Sequence, residues 1–173
     1  MTAAAPLVDD PESRAGDDHH ESLRLWLRML TCTLMVERTV RAKLRERFAI
    51  SLPRFDLLAQ LERAPDGLTM GELSRRLMVT GGNVTGLVAQ LVDEGLVERT
   101  AVPHDRRAHV VRLTARGREA FAAMAVSHEG WIVEMLGGLA GQDRERLHAL
   151  LGRVKDTVRV RERAAAGNDS EDA

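Results

Sequence analysis

Tyrosine is absent from this 173-residue chain, cysteine occurs once, and the other aromatics are three Phe and two Trp. The lone Cys32 excludes an intramolecular disulfide. No apolar run approaches the roughly 20 residues that a membrane helix needs. The N-terminus has no basic flank followed by an apolar core, so no secretory leader is expected. Together these absences predict a cytoplasmic protein. Catalytic patterns are missing too. Thr80–Gly86 reads TGGNVTG and lacks the Lys of a phosphate loop. His128-Glu129 lacks the second His of the zinc-protease pattern. No Ser/His/Asp set or paired carboxylates stand out, so no enzyme activity and no cofactor are expected. His19 and His20 beside Asp17 and Asp18 are adjacent residues on a polar tail, a poor preformed site, and no metal is expected.

Leu, Val, Ala and Arg dominate what remains, which favours helices. A hydrophobic fraction of 44% over this length suffices for one domain with a core. The net charge of -1 hides an asymmetry. Residues 1–21 carry six acids against Arg14, and residues 164–173 carry Asp169, Glu171 and Asp172 without a base. The body between them holds 24 basic and 17 acidic side chains, a net of +7. Residues 1–20 and 164–173 are therefore expected to be solvated, disordered tails on a basic body.

The chain is organised around Leu68–Leu113. Thr69 followed by Glu72 makes a capping box, and Met70, Leu73 and Leu77 repeat at helical spacing. Thr80 can cap a second helix. Its stripe is Val84, Leu87, Val88, Leu91 and Val92, and Gly95 ends it. The opposite face carries Gly81, Gly82, Asn83, Thr85, Gly86 and Gln90, all small or polar and none acidic. Leu96–Ala101 and Ala108–Leu113 are strand-like, and Val102–Arg107 joins them as a hairpin tip with Asp105, Arg106 and Arg107.

Helix, tight turn, helix and basic hairpin is the pattern of a winged helix-turn-helix. The acid-free face suits close approach to a DNA major groove. Thr80, Gly82, Asn83 and Thr85 are the candidate groove residues. Asn can pair with adenine, and Thr can meet a thymine methyl or a phosphate. The alternative for Thr80 is a cap alone, and for the glycines a close packing contact. Thr69, Arg75 and Arg76 are candidate contacts on the preceding helix, the two arginines more suited to phosphate than to bases. Arg106 and Arg107 can reach phosphates or a narrow minor groove, against the alternative of a surface ion pair.

The rest of the chain reads as helices around this unit. Glu21–Phe48 is one long helix, apolar over much of its first half through Leu23, Trp26, Leu27, Leu30 and Leu34. Arg38, Arg41, Lys43, Arg45 and Arg47 make its second half basic. A helix begins near Pro53, faces inward with Phe55, Leu58 and Leu61, and stops at Ala64–Gly67. Thr114 caps another, with Phe121, Met124, His128 and Ile132 at helical spacing, which Gly137-Gly138 ends. Gln142–Arg163 forms the last, through Leu147, Leu150, Leu151, Val154 and Val158. The expectation is a mainly α fold with a small β-hairpin wing. Residues 49–114 would be the DNA-binding unit, and residues 21–48 with 115–163 a helical dimerisation region. A twofold homodimer would match a palindromic double-stranded DNA operator.

The run DRRAHVVRLTARG after GLVERT, preceded by GNVTGLVAQL, resembles the MarR family of bacterial transcription regulators. The resemblance covers Leu23 to Arg163. It implies that Asp105 braces the wing while an arginine meets DNA. It also implies an effector pocket between the dimerisation helices and the winged unit. Candidates there are Trp26, Met29, Leu30, Arg54, Phe55, His128 and Trp131, with core packing as the alternative for each. An arginine such as Arg54 among aromatic and Met residues suits a carboxylate or phosphate. LRLWLRML and the segment from Leu52 to Gly86 are similar to family repressors of aromatic-acid catabolism, including sensors of hydroxycinnamoyl-CoA thioesters. The implied function is a repressor released by a small aromatic acid or its CoA thioester. Trp26 with Asp56 resembles the urate-responsive branch. Two alternatives stand beside this: redox sensing through Cys32, and a winged-helix protein-interaction module. Cys32 is expected to be a buried, inert hydrophobe among Leu30, Leu34 and Met35.

Overall fold

The structure is a computed structural model that describes residues 21–77, 80–102 and 105–168, with backbone alone at 102, 105–108 and 165–168. The elements follow the order α1 (Glu21–Phe48), α2 (Leu52–Glu62), β1 (Leu68–Thr69), α3 (Met70–Leu77), α4 (Gly81–Asp93), β2 (Val97–Val102), β3 (Asp105–Leu113), α5 (Ala115–Met135) and α6 (Gly141–Asn168). No helix among the described residues is long and apolar enough to cross a membrane.

The helix ends follow from local chemistry. Ala49 closes α1 in the left-handed region at φ 53°, and its N–H donates to Arg45 O. Thr69 and Glu72 form the expected capping box at α3. The Glu72 carboxylate accepts from the Thr69 N–H at 2.8 Å, and the Thr69 hydroxyl accepts from the Glu72 N–H at 3.3 Å. Gly95 ends α4 at φ 68°. Its N–H donates to Val92 O and the Leu96 N–H to Leu91 O, the two bonds of a Schellman motif. Thr114 caps α5 by accepting from the Gly117 N–H at 2.9 Å. Thr80 departs from expectation: it occupies the N-cap of α4, but its side chain makes no capping bond.

The sheet is three-stranded and antiparallel, ordered β1-β3-β2. β1 pairs Leu68 with Val111 and Thr69 with Val110. Two residues carry too little periodicity to be seen in sequence, so this strand was not expected. The hairpin differs as well. Pairing runs past Ala101–His109 through an irregularity to Val102–Asp105. Asp105, Arg106 and Arg107 therefore lie on β3 rather than in a connecting loop. Extending the ladder pairs backbone groups that a longer loop would leave to water.

The core of the winged unit lies where α2, α3, α4 and the sheet meet. Leu57, Leu58, Leu61, Leu73, Val84, Leu91 and Val111 are fully buried there, with Leu44 from α1. Val88 also turns inward, but Val92, expected in the same stripe, is 39% exposed. α5 is seated close to the strand entry. A Cβ on Gly117 would lie 1.9 Å from Leu96 O.

The described residues divide into two compact units, one ending at Ile132 and the other beginning at Val133. In the second, α6 continues through Asn168, beyond the expected end at Arg163, because Ala164–Ala166 favour helix. The helical part of the tail expected at 164–173 is thereby corrected, while 169–173 and the tail at 1–20 lie outside the described residues. The face of α6 formed by Leu147, Leu150, Leu151, Val154 and Val158 is exposed on the single chain. In the first unit, Leu23, Leu25, Trp26, Leu30, Leu34 and Met35 of α1 are exposed likewise.

Candidate nucleic-acid interface and effector cavity

α4 presents two unlike faces because its apolar residues recur every three or four positions. Val84, Val88 and Leu91 are buried, while Thr80, Gly81, Gly82, Asn83, Thr85 and Gly86 are all exposed. The glycines do not serve internal packing. Among the described residues, a Cβ added at Gly81, Gly82 or Gly86 would meet nothing within 4 Å. Thr85 turns its hydroxyl back to donate to Gly81 O at 3.0 Å. Arg75 and Arg76 are exposed at the end of α3. Thr69 is half-buried and its hydroxyl is engaged with Glu72, so its visible role is to start α3.

β2 and β3 carry the wing. Arg112 ties it to the loop after α2, its Nε donating to Asp66 O at 2.8 Å. Gly67 is required in that loop. Its φ is 85°, and a Cβ there would fall 2.4 Å from Val110. The side chains of Asp105, Arg106 and Arg107, expected to brace the wing and to meet DNA, lie outside the described residues.

The expected effector residues do not form one cluster. Phe55 and His128 stand together, ring centroids 5.0 Å apart, and Phe121 packs on Phe55 at 5.5 Å. These three line a cavity of about 410 Å3 between α2, α3 and α5, with Asp56, Gln60, Arg63 and Arg76. Trp131 packs instead against Phe48 at 6.4 Å, under the Lys43 ammonium. Trp26 and Leu30 are exposed on α1 and, with Met29, line neither this cavity nor the groove beside it. Arg54 is engaged elsewhere, its guanidinium paired with the Glu94 carboxylate at the end of α4. Sequence reasoning did not single out Arg63 or Phe121 as site residues, and it placed Arg76 at DNA phosphate rather than at a cavity. The available signal was the polar series Asp56, Gln60 and Arg63 at i, i+4 and i+7 on α2.

A second, more apolar groove of about 370 Å3 lies beside the first, lined by Cys32, Thr33, Val36, Glu37, Val40, Leu52, His128 and Ile132. Cys32 is exposed here rather than buried, on an α1 face where Leu34 and Met35 are exposed as well. Asp56 has its pKa raised, chiefly by burial. His128 opposes the shift, Glu37 adds to it and Arg41 opposes it. Glu72 has its pKa lowered by the two hydrogen bonds from Thr69. No group of three or more His, Cys, Asp or Glu able to hold a metal occurs among the described residues.

A helix with an open, acid-free face, set before a three-stranded wing, defines a winged helix-turn-helix DNA-binding regulator. Comparison with known proteins agrees. Residues 50–108 match the MarR family model. The chain is 33% identical to a MarR family transcriptional regulator from Silicibacter pomeroyi, covering 83% of this chain and 99% of that one with a TM-score of 0.70. It is 29% identical over 148 residues to the transcriptional activatory protein BadR of Rhodopseudomonas palustris, covering 83% of each. It is also 29% identical over 123 residues to the HTH-type regulator YdgJ of Bacillus subtilis, covering 71% of this chain and 74% of that one. The chain belongs to the MarR family of transcription regulators.

Proposed function

We propose that this protein is a homodimeric repressor that releases DNA when a small aromatic acid or its CoA thioester binds. The observation that carries the DNA reading is the face of α4, where three glycines leave open space on an exposed surface that carries no acid from Thr80 to Gln90. Such a surface lets a helix sit deep in the major groove without steric or charge conflict. Thr80, Gly82, Asn83 and Thr85 would meet base edges. Asn83 suits adenine, and Thr80 keeps a hydroxyl that no cap consumes. Arg75 and the Thr69 region would face phosphates. Arg106 and Arg107 would extend contact from the wing, with Asp105 bracing them.

Residues 21–48 and 115–163 would form the dimerisation region and residues 49–114 the DNA-binding unit. Large apolar side chains exposed along α1 and α6 support a second copy as their cover. Two reading heads related by a twofold axis would address half-sites about one helical turn apart. The cavity holding Phe55 and His128 supports an aromatic effector, and Arg63 and Arg76 on its wall support an anionic one. Binding shifts DNA affinity only as far as the ligand prefers one spacing of the heads over the other.

The test is a fluorescence anisotropy titration on duplexes selected from a random library. Arg107→Ala is expected to weaken binding by about tenfold or more. It should also flatten the salt dependence by about one unit of log–log slope, with an unchanged dimer in sedimentation. Unchanged affinity overturns the wing contact. Binding indifferent to salt overturns the DNA reading in favour of a protein-interaction module. A promoter fusion that loses expression when this gene is removed overturns repression in favour of activation.

A further inference from the structure

We infer that the two cavities of the first unit form one ligand channel, and that its occupant is an elongated carboxylate with an apolar tail. This deepens the ligand-responsive reading and rests on it. His128 lines both cavities and is the residue they share, one of about 410 Å3 and the other of about 370 Å3. Each volume, and the two together, fall within the roughly 300–1,000 Å3 of small-molecule sites.

The channel is polarised. Arg63 and Arg76 line the larger cavity, together with the packed rings of Phe55 and Phe121. Beyond His128 the groove turns apolar, with Val36, Leu52 and Ile132. Glu37 lies on that far side, its carboxylate already paired with the Arg41 guanidinium. An anionic head is therefore drawn to the arginines and an apolar tail to the groove, which fixes the direction of binding.

The length follows from α2. Asp56, beside His128, and Arg63 are seven residues apart on one helix wall, about 10 Å at 1.5 Å per residue. A single-ring acid anchored at Arg63 stops short of His128 and leaves the groove empty. A ring or chain that continues past Phe55 and Phe121 reaches the imidazole, and a tail beyond it fills the groove. Asp56 sits at the junction, a helical stretch away from the head, so its carboxyl does not oppose the anion at close range.

The experiment is isothermal titration calorimetry of the full chain with benzoate, 3-phenylpropanoate, 5-phenylpentanoate and 7-phenylheptanoate, and with the methyl ester of the longest. Affinity is expected to rise roughly threefold to fourfold per methylene that becomes buried, until the groove is full. The ester should lose about tenfold or more. Ile132→Trp fills the groove and should bring the longest acid down to the affinity of benzoate while leaving benzoate unchanged. Val36→Trp fills the same groove from α1 and serves if the first variant fails to fold by circular dichroism. Affinity flat with chain length, indifference to groove filling, or no binding by any member overturns the channel. DNA titration of the ligand-free protein separates the two readings. A chain that binds DNA but none of the acids refutes the channel alone. A chain that binds the long acids but no DNA refutes the regulator alone.

Discussion

The Arg54 guanidinium on α2 pairs with the carboxylate of Glu94, the C-cap residue of α4. Arg54 was expected to meet an effector, yet in this chain it ties the helix that walls the cavity to the end of the helix with the open face. The two partners differ in burial, the Arg54 side chain being 13% exposed and that of Glu94 46%. The Arg54 Nε is buried as well, with no hydrogen-bond partner among the described residues. Deleting Glu94 therefore strands a buried cation, whereas deleting Arg54 returns a carboxylate to water. Glu94→Ala is expected to cost about 1–2 kcal/mol. Arg54→Met, which keeps the stem volume, should cost less than about 1 kcal/mol. Urea unfolding of both variants checks this, and the reverse order would refute it.

Asp56 gives stability a pH dependence of defined sign. Burial holds its proton to higher pH in the native state than in the unfolded chain, where a carboxyl titrates near about 3.9. The contribution of the neutral group is thus present below that range and lost as pH rises through the raised native value. Asp56→Asn is expected to unfold at a higher temperature than the parent at pH 7, with the difference closing toward pH 4. Glu72 acts oppositely: its lowered pKa contributes stability that is lost as pH falls through the native value. Glu72 is present in both proteins and cancels from the comparison. A difference that does not change with pH would refute the assignment.

Gly117 marks the tightest approach of α5 to the strand entry. An added Cβ would meet Leu96 O at 1.9 Å, and a backbone carbonyl cannot swing aside as a flexible side chain can. Gly117→Ala is expected to destabilise by about 2–3 kcal/mol despite its better helix propensity. Gly82→Ala, whose Cβ meets nothing, should be neutral or slightly stabilising in the same denaturation assay. If its glycine is needed for groove approach, Gly82→Ala should still weaken DNA binding.

The sequence by itself determined the elements whose causes are local. The capping box of Thr69 and Glu72, the Gly95 terminus and the Thr114 cap each need only a few neighbouring residues, and each is found where those residues place it. The inward turn of Val84, Val88 and Leu91 also follows from helical spacing alone. Tertiary structure decided what depends on residues far apart in the chain. β1 exists only because β3 lies beside Leu68 and Thr69. The effector candidates parted company because Arg54 found Glu94 forty residues away, while Phe55 and His128 met across two helices. Whether the α4 glycines packed inward or faced outward was equally undecided in sequence, because a missing side chain leaves the same letter in a crowded place and an open one. Only the packed chain shows that space to be empty.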